Sequence, residues 1–190
     1  MKNMVLLVAG MLICCAVFGQ SYTLDTKKSE INWAGSAAYN SYTLSGTLKA
    51  SEGNFKWVEG QMTEAYIEID MKSLDASIDD LKKHLKSEDF FFVKQYPQAS
   101  FTLTKAVAFG EGKLNLEGIF SIKDKSKQEK ITLTTEKQNN QWQISGTITL
   151  DRTNYGIYYN SPNFFENLKQ NAIADEIKLE LSLVFVNQYK

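Results

Sequence analysis

His84, the only histidine of the 190-residue chain, is the side chain best suited to acid–base or metal chemistry near neutral pH. It follows Asp80 by four residues, a spacing that places both side chains on one face of a helix. One imidazole and one carboxylate are an incomplete ligand set for zinc. A helix-capping acid next to a polar residue is the simpler explanation, so we predict no metal site.

Other residues typical of catalysis are missing. The sequence contains no nucleophile elbow, no phosphate-binding glycine loop and no metalloprotease helix. The acid pairs Glu88–Asp89 and Asp175–Glu176 are adjacent, so on a strand their side chains would point to opposite sides, unlike the converging acids of a glycosidase. We therefore predict that the protein has no catalytic residues and is not an enzyme.

Arg152 is the only arginine and directly follows a strand-like segment, in the sequence LDRTNYGI. At the mouth of a barrel its guanidinium could bind a phosphate or carbonyl head group in a bidentate manner. It could instead pair with an acid such as Asp89 and so close a loop. The sequence leaves both interpretations open, and structural ion pairs are the commoner case.

The elements that must position these residues are strands, because the sequence alternates with period two over most of its length. Apolar side chains occupy every second position and polar ones fill the gaps, as in strands with one face in water. About eight such segments are joined mostly by short turns, so consecutive strands should pair antiparallel. Closing a sheet of this size removes its exposed edges. The pattern thus predicts one all-β domain built as an antiparallel barrel.

A short helix is expected to interrupt the strands near residues 77–87. Ser77 is the expected N-cap, Asp79 and Asp80 fall in the first turn, and Leu81 and Leu85 lie four residues apart on one face.

Four glycines lie on the apolar faces of separate strands, at Gly35, Gly46, Gly118 and Gly146. Glycine allows a strand to bend sharply at a barrel corner. Missing side chains would also leave room inside, and an eight-stranded barrel is close to the size at which the interior is either filled or holds one small ligand. The sequence favours neither explanation.

Residues 1–19 have the features of a secretory signal peptide. Lys2 precedes an uncharged apolar run from Met4 to Phe18, which is too short to span a bilayer as a helix. Cys14 and Cys15 both fall within it, so the predicted mature domain, residues 20–190, contains no thiol. We expect a periplasmic or secreted protein. Anchoring through a lipidated cysteine is less favoured, because the residues before both cysteines are not the small ones that processing prefers.

The charge of the predicted mature domain argues against nucleic-acid binding. It has 20 Lys and Arg against 22 Asp and Glu, a net charge of −2. A general nucleic-acid binder needs a basic field that displaces counterions from phosphates. The lysines are also scattered along the chain, as expected for solvated faces.

Three segments together resemble the YceI-like family: SLDASIDDLKKHLKSEDFFFVKQYPQASFTLT (73–104), GIFSIKDKSKQEKITLT (118–134) and GTITLDRTNYGIYY (146–159). They occur in the expected order, and the resemblance covers essentially the whole predicted mature chain. It implies an extended eight-stranded lipocalin-like barrel, with the helix between early and middle strands, that binds a long isoprenoid or similar lipid in its lumen.

The motifs match residue by residue in part. His84 and Leu85 match the family's HL; Asp89, Phe90 and Phe91 match DFF; Tyr96, Pro97 and Phe101 match YP and the following strand aromatic; and Arg152, Gly156 and Ile157 match the arginine-containing turn. The chain departs from the pattern at Phe92, where the family usually has an acid, at Leu81, Lys82 and Lys83, where an Arg-Asp pair is common, and at Asn154 and Tyr155.

From the apolar strand faces and this resemblance we predict a non-catalytic protein that binds, transports or sequesters a long apolar lipid in the cell envelope. The lipid would be a polyisoprenoid, an isoprenoid quinone or a fatty-acid-like molecule, with no other cofactor. We expect the lipid to be loaded during transient contact with a membrane. The sequence leaves the oligomeric state open, and a dimer is one of the options. The alternative is an envelope stress or protein-interaction module that uses the barrel as a scaffold. The predicted ligand-binding residues are Trp33, Leu44, Leu48, Ile67, His84, Phe90, Phe91, Phe101, Leu103, Phe120, Ile148, Arg152 and Tyr155.

Overall fold

The computed structural model describes residues 19–188. The predicted signal peptide, apart from Gly19, and both cysteines lie outside these residues. Within them the chain forms one α-helix, α1 (Asp79–Lys86), and two short 3-10 helices, Arg152–Tyr155 and Lys169–Asn171. Ten strands make up the rest of the regular structure: β1 (Gln20–Leu24), β2 (Glu30–Ala37), β3 (Thr43–Val58), β4 (Gln61–Ala76), β5 (Gln98–Leu103), β6 (Val107–Ala108), β7 (Gly112–Ile122), β8 (Lys125–Gln138), β9 (Gln141–Asp151) and β10 (Ile173–Asn187).

Eight strand positions close into a barrel, in the order β2, β3, β4, β5, β7, β8, β9, β10 and back to β2, and every neighbouring pair is antiparallel. The two remaining strands extend existing positions. β1 lies between β3 and β10 beyond the end of β2, and β6 pairs with β4 beyond the end of β5. The all-β, eight-stranded antiparallel barrel with a short helix is therefore confirmed.

Strand alternation fills the interior as the sequence indicates. On β7, for example, Leu114, Leu116 and Phe120 are buried, whereas Lys113 before Leu114 and Asn115 after it are exposed. The same alternation on the other strands builds one apolar core inside the barrel. Burial of these side chains is the main force that holds the barrel closed.

One end of the barrel is closed by an aromatic cluster. The ring of Phe55 stacks on Tyr22 at 4.7 Å between centroids and contacts Phe109 at 4.9 Å and Phe185 at 5.0 Å. Phe109 in turn contacts Trp142 at 4.7 Å. We call this set the aromatic plug. All five side chains are buried, so it seals the end opposite α1.

The helix α1 lies at the other end. Ile78, not Ser77, immediately precedes it, and no side chain caps its first turn, so the expected Ser77 cap is wrong. The carboxylates of Asp79 and Asp80 lie in the first turn, where they interact favourably with the positive end of the helix dipole. Leu85 is buried and attaches the helix to the core. No helix in residues 19–188 has the length and apolarity needed to cross a membrane.

The core-facing glycines divide into two kinds. A Cβ on Gly46 would collide with the backbone of Asp75 and the ring of Trp33, one on Gly118 would collide with the ring of Phe101, and one on Gly146 would press against Leu133. These three glycines therefore permit close packing. Gly35 differs, because a Cβ there would meet nothing within 4 Å.

Candidate ligand-binding cavity

A cavity of about 270 Å³ occupies the half of the barrel next to α1. We call it the upper cavity. It lies between the inner faces of β2, β3, β4, β7 and β10 and is covered by α1 and the segment that follows it. Its wall is almost entirely apolar, and Gly35 contributes open space at one side. Such a site can hold an apolar chain but offers few groups to orient a polar one.

A second, smaller cavity of about 60 Å³ lies deeper in the barrel, toward the aromatic plug. We call it the lower cavity. Its wall shares three residues with the upper cavity: Ile69 on β4, Phe120 on β7 and Leu179 on β10. The two cavities therefore follow one another along the barrel axis and are separated at the level of these side chains.

Most of the ligand-binding residues predicted from the sequence line one of these cavities. The upper cavity contains Trp33, Leu44, Leu48, Phe90, Phe91, Phe120 and Arg152. The lower cavity contains Ile67, Phe101, Phe120 and Ile148. His84, Leu103 and Tyr155 line neither.

Arg152 is buried, with 2% of its surface exposed, although it also borders the upper cavity. Its Nε donates to the carbonyl oxygen of Ala174 at 3.0 Å and its Nη1 to that of Ile157 at 2.8 Å. Its Nη2 donates to the carbonyl oxygen of Ile173 at 3.0 Å and to Asp175 Oδ1 at 3.2 Å. Burial lowers the pKa of the guanidinium, an effect that Asp175 opposes. Arg152 thus ties the start of β10 to the preceding loop, and its acidic partner is Asp175 rather than Asp89.

His84 lies outside the cavity wall, behind Phe90. Its ring packs edge-on against Tyr159 at 4.6 Å and Phe90 at 5.1 Å, and its Nε2 lies 3.6 Å from Asp89 Oδ2. Within residues 19–188, no three His, Cys, Asp or Glu side chains lie close enough to share a metal ion. The contacts of His84 support the position of Phe90, and its side chain belongs to the wall of neither cavity.

Tyr155 and Leu103 are removed from the cavities by their place in the fold. Tyr155 is fully buried beside β8, and its hydroxyl donates to Glu129 Oε1 at 2.9 Å. Burial, together with Glu129, raises the pKa of this hydroxyl. Leu103 is the last residue of β5 and is buried opposite Gly118. His84, Leu103 and Tyr155 therefore lie outside the walls of both cavities, and their contact with a ligand stays a prediction.

Exposed apolar side chains surround the open end of the barrel. In residues 19–188, every large hydrophobic side chain recorded as exposed lies in the connections at the α1 end: β2–β3, β4–α1 and β9–β10. Tyr42 also lines the upper cavity, and the rings of Tyr158 and Phe164 touch at 4.4 Å. We call this set the apolar rim; it consists of Tyr39, Tyr42, Ile78, Tyr158, Phe164 and Phe165.

Comparison with known families agrees with this architecture. The sequence profile of the YceI-like domain matches residues 22–185. The chain belongs to the YceI-like family. A UPF0312 protein of Shewanella denitrificans is 28% identical over 120 residues, which are 62% of this chain and 63% of that protein. A UPF0312 protein of Pseudomonas putida is 32% identical over 109 residues, 53% of each chain. The matched region thus spans less than two thirds of either relative.

Solved structures share the YceI-like fold at low sequence identity. BcnA of Burkholderia cenocepacia superposes with a TM-score of 0.67 at 20% identity, covering 85% of this chain and 98% of that one. A polyisoprenoid binding domain from Saccharophagus degradans gives a TM-score of 0.66 at 14% identity, covering 87% and 98%. The YCEI protein of Campylobacter jejuni gives a TM-score of 0.57 at 16% identity, and the superposition covers 100% of both chains.

Sequence reasoning missed several residues that line the upper cavity of this YceI-like barrel. Some carried a readable signal: Leu81 and Leu85 share a helix face, and Ile177 continues the alternation of β10. Tyr42 precedes Leu44 by two residues and so continues the alternation into β3, whereas Asn171 belongs to a short 3-10 helix, where no period-two alternation indicates which side chain turns inward. Apart from alanine and glycine, the missed apolar residues are Tyr42, Ile69, Met71, Leu74, Leu81, Leu85, Ile122, Ile173, Ile177 and Leu179.

Proposed function

We propose that this YceI-like protein binds a chain-like apolar lipid in the upper cavity and carries or sequesters it without catalysis. The observation that carries the proposal is the cavity of about 270 Å³ with its nearly continuous apolar wall. A fold neighbour named as a polyisoprenoid binding domain supports the same class of ligand. A polyisoprenoid, an isoprenoid quinone or a fatty-acid-like molecule meets this description.

Burial of the lipid tail would supply most of the affinity. Each methylene transferred from water contributes about 0.8 kcal/mol. Arg152, the charged residue on the wall, already has four acceptors within its own chain. Selection would therefore depend on the shape of the cavity more than on a head-group contact.

The experiment is to extract the purified protein with organic solvent and to record its native mass spectrum. The Gly35→Leu variant tests the site, because a side chain at Gly35 enters open space in the cavity. Ala34→Leu is the matched control, since Ala34 is the neighbouring residue on β2 and is not part of the cavity wall.

Wild type and Ala34→Leu should carry an apolar molecule, and Gly35→Leu should lose it while keeping the same circular dichroism spectrum. Equal lipid content in all three proteins would place the ligand elsewhere. Wild-type protein that takes up no prenyl or acyl lipid at all would refute the function.

We further propose that loading occurs by transient contact of the apolar rim with a membrane, in the periplasm or outside the cell. Tyrosine and phenylalanine are side chains that occupy the membrane–water interface. The rim surrounds the open end of the cavity, and Tyr42 belongs to both. A lipid leaving the bilayer there would reach the cavity without crossing water.

A further inference from the structure

The two cavities meet at one level of the barrel, where three side chains belong to both walls; we call this level the constriction. Phe120 points inward from β7, is 3% exposed and lines both cavities, together with Ile69 and Leu179. A ligand entering at the α1 end meets these three side chains before it can reach the lower cavity.

The ring of Phe120 packs against a neighbouring aromatic side chain. Its centroid lies 5.9 Å from that of Phe101, the residue paired with it across β5 and β7. The ring of Phe101 in turn lies over Gly118, where it fills the space that a Cβ would occupy. The glycine therefore fixes Phe101, and Phe101 supports Phe120 from the side of the strand pair.

The position of the constriction limits the length of chain that the upper cavity accepts. On β10 the upper cavity extends from Ile173 to Leu179, and the lower one from Leu179 to Phe185. At about 3.3 Å per residue and a strand tilt of about 40°, each stretch covers roughly 15 Å along the barrel axis.

An extended chain of single bonds advances about 1.2 Å per bond, so 15 Å holds roughly 12 bonds. Each isoprene unit adds about four chain bonds, which gives about three isoprene units in the upper cavity. The lower cavity, about 60 Å³ against about 270 Å³ for the upper one, ends at the aromatic plug. The full depth of the barrel therefore sets an upper limit of about six units.

We propose that Phe120 is a length-determining residue, and that this protein selects apolar chains of about three isoprene units over longer ones. This inference rests on the proposed function. It deepens that function by naming the tail length and the side chain that limits it.

The test compares binding of prenyl alcohols with three and with six isoprene units, by native mass spectrometry and by displacement of a fluorescent apolar probe. Phe120→Ala removes the constriction, and Phe120→Leu is a milder version if the alanine variant folds poorly. Leu114→Ala is the matched control, because Leu114 is buried on the same strand but lines neither cavity.

Wild type should bind the three-unit alcohol more tightly. Phe120→Ala should bind the six-unit alcohol at least about tenfold more tightly than wild type does, since two additional buried methylenes suffice for that gain. Leu114→Ala should keep the wild-type preference. Equal affinity of wild type for both lengths, or no gain in either Phe120 variant, would overturn the length limit. If neither alcohol binds any of the proteins, the proposed function fails as well.

Discussion

Arg152 directs four hydrogen bonds at acceptors of its own chain, which leaves its guanidinium little capacity for a ligand. Three of the acceptors are backbone carbonyls, and the fourth, Asp175, also accepts from Asn163 Nδ2 at 2.8 Å. The residue therefore joins the 3-10 helix after β9, the long loop beyond it and the start of β10. These elements form one side of the cavity mouth.

Replacing Arg152 by Met should destabilise the protein strongly, because it leaves Asp175, whose side chain is 10% exposed, without its cation. Removing one partner of a buried ion pair costs about 3–5 kcal/mol in the free energy of unfolding. Urea denaturation measures the change. Lys82→Met, which breaks an exposed ion pair with Asp75, is the control and should leave the free energy of unfolding close to that of wild type. Equal losses in both variants would show that Arg152 has no special structural role.

Because of Tyr155, the free energy of unfolding of the barrel should decrease at alkaline pH. The pKa of its hydroxyl is raised in the folded state by burial and by Glu129. Its contribution is fully present below the ordinary tyrosine value of about 10 and is lost as the pH rises toward the folded value. Over that range one such group lowers stability by about 1.4 kcal/mol per pH unit.

Denaturation of wild type and Tyr155→Phe from pH 8 to about 11.5 measures this effect. The Tyr155→Phe variant should be less stable than wild type by about 1–2 kcal/mol at pH 8, because it lacks the hydrogen bond from the tyrosine hydroxyl to Glu129. Its stability should then fall less steeply than that of wild type above about pH 10. Parallel pH curves would contradict the assignment.

At the scale of elements, the strands were predictable and the connections were not. Alternation along β7 and β9 specifies which side chains face inward, because the period of a strand is fixed by its geometry. That is why Phe120 and Ile148 could be placed in the lumen from sequence alone. The loop that holds Arg152 contains no such period, so its partner, Asp175, could not be deduced and Asp89 was a wrong choice. The helix α1 likewise forms without a side-chain cap, since Ile78 precedes it and the burial of Leu85 holds it against the core.

The apolar rim makes a prediction about membranes. Phe164→Ser combined with Phe165→Ser should reduce binding to phosphatidylcholine vesicles by at least about tenfold, because two aromatic side chains no longer enter the interface. Co-sedimentation or vesicle flotation measures the bound fraction. Val58→Ser, which removes partly exposed apolar surface at the opposite end, is the control and should bind as wild type does. Unchanged binding of the double variant would exclude the rim as the contact surface.

At the scale of the whole molecule, the barrel is closed at one end and bordered by exposed apolar side chains at the other, an asymmetry on which the proposed function depends. The barrel has no open sheet edge along its ring of eight strand positions, its far end is filled by the aromatic plug, and its near end carries α1 and the rim. Period-two alternation was sufficient to predict the barrel. It could not reveal that Gly35 leaves space while Gly118 is filled by Phe101, because that distinction depends on side chains that cross from neighbouring strands.

Because the proposed ligand binds only the folded barrel, it should stabilise the whole molecule. At a free ligand concentration one hundred times Kd, the free energy of unfolding should rise by about 2.7 kcal/mol. Thermal unfolding of delipidated protein, with increasing amounts of a three-unit prenyl alcohol, measures this as a concentration-dependent rise in Tm. Gly35→Leu, whose added side chain fills the upper cavity, should unfold at a Tm that the alcohol leaves unchanged. An equal rise in both proteins would mean that the alcohol binds outside the upper cavity, since only there does the substitution remove space.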